Sequence, residues 1–355
     1  VDAGKQLSRP KLIRRAMRRS KARAAALSAV RNRARFSGKN EQQTPAGVLP
    51  VRPSGDLEYV VDLAIGTPPQ PVSALLDTGS DLIWTQCAPC ASCLSQPDPL
   101  FAPGQSASYE PMRCAGTLCS DILHHSCERP DTCTYRYNYG DGTMTVGVYA
   151  TERFTFASSG GGGLTTTTVP LGFGCGSVNV GSLNNGSGIV GFGRNPLSLV
   201  SQLSVRRFMY CLPPPMSRTS GKLVLGAGAD AVRNVSDRVT VTMSSSTRYP
   251  SYYYLNLDGL AVGDQTPGTT RNATSPPSGG AGGGGEGGGI VGAGGANAYG
   301  MIVDVASTIS FLETSLYDEL ADDLEEEIRL PRATPSLRLG LDLCFILPEG
   351  VGMDR

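Results

Sequence analysis

An apolar strand that runs straight into an aspartate is written into this chain twice. The first copy is Leu75-Leu76-Asp77-Thr78-Gly79-Ser80; the second is Met301-Ile302-Val303-Asp304, followed by Val305-Ala306-Ser307. A carboxylate at the end of a buried strand is costly, because a charge taken out of water without a partner loses more than the strand end gains. Taken alone, an Asp-Thr-Gly triplet is explained well enough as a turn aspartate capping its own backbone. The surrounding pattern argues for more than that.

Upstream, Tyr59-Val60-Val61-Asp62-Leu63-Ala64-Ile65 alternates like a strand and runs into Gly66-Thr67-Pro68-Pro69-Gln70. Trp84, the only tryptophan, follows Asp77 closely. Tyr139-Gly140-Asp141-Gly142-Thr143 reads as a hairpin tip, with Asp-Gly the usual hairpin signal. Ile189-Val190-Gly191-Phe192-Gly193 is a further apolar strand closing on glycine. In this order and spacing the set resembles the pepsin-like aspartic proteases. The cysteine-rich stretch after Trp84 is similar to the nepenthesin-type plant subgroup, and the resemblance covers residues 50 to 350. It implies an all-β, bilobal fold with few short helices and one catalytic aspartate per lobe, Asp77 and Asp304. It makes Thr78, Gly79, Ser80 and Ser307 supports of those carboxylates. It also makes Tyr139, Gly140, Asp141 and Gly142 part of a substrate-covering flap, with Tyr139 turned toward Trp84. No cofactor and no metal are implied. The length of 355 residues suits two lobes. The 45 glycines and 25 prolines suit a turn-rich β architecture rather than a helical one.

The charges are unevenly spread. Thirteen Lys and Arg and two acids fall in the first 50 positions; out of 31 of each, that leaves 18 against 29, a balance of −11, for the rest. A basic arm on an acidic body can be a nucleic-acid tail. Here no aromatic residue interrupts it before Phe36 and no nucleic-acid fold follows, so nucleic acid is not expected as a partner. Leu7, Leu12, Ile13, Ala16, Met17, Ala24 and Leu27 recur at helical spacing among the arginines. Pepsin-like proteases are made as zymogens, and the resemblance makes residues 1–46 a basic pro-segment acting in cis. Opposed charges of this kind hold near neutral pH and weaken as carboxylates protonate. Gln42 to Pro53, rich in proline, is the expected processing linker. No run approaches the roughly 18 apolar residues of a membrane span. The chain begins at Val1 with no signal peptide, so its natural N-terminus is expected to be missing.

Seven of the ten cysteines, Cys87, Cys90, Cys93, Cys114, Cys119, Cys127 and Cys133, lie within residues 87–133. Cys-x2-Cys is a common zinc ligand pair, but no matching second pair follows. Disulfides in an oxidising compartment are the expected state. Seven is odd, so at least one must pair outside the insert, with Cys175 or Cys211 for example, or stay free; Cys344 is the tenth. Sequons at Asn185, Asn234 and Asn272 are candidate glycosylation sites. A plant glycoprotein on the secretory route, extracellular or vacuolar, follows as the expected localisation.

The expected domains are the pro-segment 1–46, a first lobe 47–215 with the insert 87–133 and the flap 135–156, and a second lobe 216–355. Residues 275–300 are a glycine-rich loop. Gly287, Gly289 and Gly292 fit G-x-G-x-x-G, but no strand precedes and no helix follows, so a dinucleotide site is excluded. After Asp304 one helix is expected, capped by Ser315 with Asp318 and presenting Leu316, Leu320, Leu324 and Ile328 on one face. His124 and His125 are the only histidines, and neither H-E-x-x-H nor G-x-S-x-G occurs, so zinc-protease and serine-hydrolase chemistry lack their parts.

The chain departs from the family at the second motif. The family has Thr or Ser after the aspartate, whose hydroxyl bonds across to the other lobe; Val305 has none, and Ala306 stands where glycine is usual. Two functions are therefore carried forward. One is a monomeric, secreted acid endopeptidase acting on polypeptide substrates. The other is a weakly active or inactive pepsin-fold protein that binds other proteins, similar to the plant xylanase inhibitors. Only 51 residues follow Asp304, with no second Ile-Val-Gly element among them, so the second lobe is expected to be incomplete.

Overall fold

The strand ending in Asp77 is buried on both faces from Val72 onward, and apart from Ser73 that stretch is apolar up to the aspartate for that reason. In the computed structural model, described for residues 9–29, 47–55, 57–128, 131–160, 163–226, 229, 239–246, 249–257, 260, 262–263, 299–333, 341 and 343–348, it is the third of fourteen strands. In chain order these are β1 (Gly47–Pro53), β2 (Tyr59–Ile65), β3 (Gln70–Asp77), β4 (Ile83–Gln86), β5 (Glu110–Pro111), β6 (His125–Glu128) and β7 (Thr132–Asn138). They continue with β8 (Met144–Gly160), β9 (Gly163–Val180), β10 (Gly188–Gly191), β11 (Phe208–Cys211), β12 (Gly221–Leu225), β13 (Tyr253–Leu257) and β14 (Tyr299–Val303). Helices are α1 (Arg9–Ala29), α2 (Thr117–Ser120), α3 (Leu199–Gln202) and α4 (Thr314–Ile328). The protein is all-β apart from these, though α1, at 21 residues, is not short.

β1 to β12 form one large sheet, in which β10 runs parallel to β3 and antiparallel to β4. That placement sets Gly191 opposite Asp77. β10 lies so close to its neighbours that a Cβ on Gly188 would meet the Trp84 carbonyl oxygen at 2.0 Å, and one on Gly191 would meet the Asp81 backbone at 2.3 Å. Only glycine fits there. Because side chains alternate along a strand, Leu76, Ile83 and Val190 enter one core with Phe173 and Phe192, while Leu75, Trp84 and Ile189 enter another with Tyr135 and Tyr149. The catalytic-loop candidates hang from a strand clamped on both sides.

The expected lobe boundary at 215/216 falls in the turn between β11 and β12, which pair with each other while β12 also pairs with β1. β13 and β14 make a separate two-stranded sheet, with Tyr253 opposite Val303. The segment expected as the flap, 135–156, lies on the hairpin of β7 and β8. At α4 the expected cap moves. The helix starts at Thr314, so the Ser315 N–H is one of its unpaired first-turn donors, and the Glu313 side chain accepts it at 2.9 Å. Leu316 on its apolar face is buried, whereas Ile328 is exposed.

Four disulfides form: Cys87–Cys175, Cys90–Cys93, Cys114–Cys127 and Cys119–Cys133. Cys87 is the member of the seven that pairs outside the insert. Loops of 13 and 14 residues, as in the last two, are worth about 3 kcal/mol each in the chain-entropy model. Cys211 and Cys344, also disulfide candidates by sequence, are free thiols. Asn185 is described and turns its amide onto the Ser54 carbonyl at 2.9 Å; Asn234 and Asn272 lie outside the described residues, as does most of the glycine-rich stretch. Among the described residues no helix is long and apolar enough to cross a membrane.

Candidate active site

Each aspartate sits at a strand end and is held by the loop that follows it. Asp77 accepts the Gly79 N–H at 2.9 Å on one oxygen and the Ser80 hydroxyl at 2.5 Å on the other. Asp304, after β14, accepts the Ala306 N–H at 3.3 Å and the Ser307 hydroxyl at 2.6 Å in the same arrangement. The two loops are also joined. The Thr78 hydroxyl accepts the Val305 N–H at 2.9 Å and donates to Asp304 at 3.3 Å. Val305 offers no hydroxyl in return and instead packs against the main core, so the cross-lobe lock is present in one direction only. Both carboxylates are nearly fully buried, at 2% and 4% side-chain exposure.

One guanidinium bridges them. Arg23 of α1 bonds Asp77 through its Nη2, and reaches Asp304 through Nε at 2.5 Å and Nη2 at 3.2 Å. Burial pushes the Asp304 carboxyl up, but the Arg23 charge and the bonds from Arg23, Ser307 and the Ala306 N–H outweigh it, and the carboxyl is held below its ordinary value. Burial likewise acts to lower Arg23, and the two carboxylates overturn it, so the guanidinium is firmly charged. The rest of α1 follows the helical period: Leu12, Ala16 and Ser20 are its buried stripe. Ser20 accepts the Thr308 N–H at 3.1 Å, and Arg19 pairs with Glu58 at 3.0 Å.

The hairpin of β7 and β8 closes its tip through Tyr139 and Thr143, with the Gly142 N–H bonded to the Tyr139 carbonyl at 3.1 Å. Asp141 accepts the Thr143 N–H at 2.9 Å and thereby fixes the turn. The Trp84 indole N–H donates to the Tyr139 hydroxyl at 2.8 Å, and the Tyr137 ring packs tilted against Tyr139, their centroids 5.0 Å apart. Behind the first loop, buried Asp81 accepts the Asn195 N–H and side-chain amide, both at 3.0 Å, and the Ser251 hydroxyl at 2.6 Å. Burial pushes the Asp81 carboxyl up against those bonds.

Arg19, Arg23, Glu58, Asn184, Asp81 and Ser251 were not singled out by sequence. The signal was present only for the arginines, which flank the Leu12, Ala16, Ser20 stripe at helical spacing.

Few folds bring one strand-end aspartate from each half to a shared guanidinium; this architecture is pepsin-like. Comparison with known proteins narrows the class. Residues 59–227 match the xylanase inhibitor N-terminal family model. Aspartyl protease 37 of Oryza sativa subsp. japonica is 49% identical, over 98% of this chain and 75% of that protein. Aspartic proteinase nepenthesin-1 of Nepenthes gracilis is 38% identical, over 98% of this chain and 71% of that protein. The chain belongs to the plant aspartic proteases. Among solved structures, basic 7S globulin from soybean superposes with a TM-score of 0.59 at 19% identity, over 85% of this chain and 74% of that one, a likeness of fold alone.

Proposed function

We propose that this chain is a secreted acid endopeptidase, kept latent by its own basic segment within residues 1–46. The observation that carries the reading is Arg23, which occupies both carboxylates at once. In aspartic proteases generally, two carboxylates this close share a proton, because both cannot ionise easily. The ionised member takes a proton from a water that attacks the peptide carbonyl, and the protonated member polarises that carbonyl. With Arg23 in place neither role is open to Asp77 or Asp304. Ser80 and Ser307 hold the carboxylates in orientation, and Tyr139 with Gly140, Asp141 and Gly142 lies over substrate. The substrates are polypeptides, the working form is a monomer, and its lobes divide near residue 215. Four disulfides support the secretory route.

A second reading, a binding protein with little activity, is favoured by Val305, which leaves the cross-lobe lock one-sided. Digestion of a denatured protein across pH 3 to 7, with and without pepstatin, separates the two. Pepstatin-sensitive cleavage that rises in acid, with loss of the first 46 residues by mass, is expected, and Asp77→Asn should lower it on the order of 10³-fold. Absence of pepstatin-sensitive cleavage at every pH would favour the binding protein.

A further inference from the structure

Helix α1 brings a second guanidinium into the cleft, and what receives it belongs to the body of the protein. Glu58, just before β2, is buried, and its Oε1 pairs with Arg19 at 3.0 Å. Its Oε2 accepts the Asn184 amide at 2.5 Å. When α1 leaves the cleft, Asn184 still satisfies one oxygen and the other loses its cation. A buried carboxylate stripped of its partner is strongly unfavourable, so it either takes a proton or takes another cation.

The geometry that Arg19 marks is that of a substrate side chain. Arg19 stands four residues before Arg23, about 6 Å along the helix axis. The same distance is about two residues of extended chain. Arg23 marks the carboxylates that would act on the scissile bond, so Arg19 marks a side-chain position close beside it. Resting on the endopeptidase reading, we propose that Glu58 and Asn184 form a subsite for the lysine or arginine side chain of a polypeptide substrate, about two residues from the bond that is cut. Arg19 is the internal stand-in for that side chain.

The charged groups that act on Glu58 agree. Burial raises its carboxyl, Arg19, Asn184 and Arg23 lower it, and Asp141 of the flap tip raises it. Of these charges, Asp141 is the one that stays when both arginines leave. A second negative charge near the subsite strengthens its attraction for a cation, and it also makes Glu58 easier to protonate. The preference for a basic side chain is therefore greatest at the upper end of the working pH range and fades as Glu58 protonates.

The test uses the full chain after acid incubation has removed residues 1–46, or, should they stay, the Arg19→Gln, Arg23→Gln double variant. Peptides of one sequence carry lysine, glutamine or glutamate at each of three positions on either side of the cleavable bond. Cleavage is measured on these, and binding on the same peptides with that bond replaced by a noncleavable isostere. One position is expected at which lysine exceeds glutamine at least tenfold in kcat/KM and in affinity, with glutamate weakest. Glu58→Gln should reduce the lysine advantage below threefold, and Glu58→Asp should retain it. The order lysine, glutamine, glutamate needs no variant, so a Glu58→Gln chain that fails to fold leaves the test standing. A lysine preference in binding without cleavage upholds the subsite and overturns the endopeptidase reading. Cleavage with no lysine preference at any position overturns the subsite alone. A lysine advantage that survives Glu58→Gln, or absence of both binding and cleavage, also overturns it.

Discussion

Thr78 is the residue on which the two halves of the site meet. Its hydroxyl takes the Val305 N–H and gives its own proton to Asp304, so Thr78→Val leaves the Val305 N–H without an acceptor, while Asp304 keeps Arg23 and the Ala306 N–H. Such a loss costs about 1–3 kcal/mol at a buried site. Chemical denaturation of the Thr78→Val chain should show a fall of that order, larger than the effect of Val305→Ala beside it in the same loop. Asp77 and Asp304 were legible in the sequence because a carboxylate after a run of apolar residues is rare. Thr78, Ser80 and Ser307 were legible through the family pattern around them. Arg23 was not. It is one of 13 basic residues in the first 50, and what distinguishes it is contact with an aspartate 281 positions away. Glu58 and Asp81 were hidden for the same reason. Each looks like an ordinary polar residue beside a strand until a distant partner, Arg19 or Ser251, arrives.

At the scale of elements, α1 is the part whose attachment depends on pH. Docking lowers Asp304 through Arg23, so that contribution is present above the undocked carboxyl value. It is lost as pH falls through the docked one, which lies below the ordinary 3.8. Glu58 keeps a raised value even with Arg19 beside it, chiefly through burial, so the Arg19 contribution is lost earlier, above 4.5. Two steps follow: the Arg19 end loosens first and the Arg23 end second. Hydrogen-exchange protection of α1, followed from pH 6 down to pH 3, should fall in that order. Arg23→Gln should abolish the lower step and leave the upper one. The helical period of Leu12 and Ala16 was readable in advance. The long hairpin of β8 and β9 was not, because its polar threonine run gives no two-residue alternation.

Across the whole molecule, polar links tie the Asp77 half to the segment at β13. Asp81 takes Ser251, Tyr253 donates to the Phe192 carbonyl at 2.6 Å, and the Arg194 N–H reaches the Ser251 carbonyl at 3.0 Å. All three partners of Asp81 point donors at it, which suits the ionised form. Asp81→Asn turns one acceptor into a donor facing those donors, at a cost of about 1–3 kcal/mol. Thermal unfolding of that variant should split, with the β13–β14 region melting ahead of the β1–β12 sheet. Ser251→Ala, which removes one donor and leaves Asn195 in place, should shift it less.

The 355 residues hold one tryptophan, and it is tied by its indole N–H to the hydroxyl at the base of the flap tip. Nature has thus placed a single optical reporter at the joint between β4 and the hairpin of β7 and β8. Excited near the red edge, the emission of the entire chain comes from a ring that is 1% exposed and whose hydrogen bond breaks if the hairpin lifts. Any change in its colour or lifetime when a peptide enters is a change at that one joint, readable in the unmodified protein without a label.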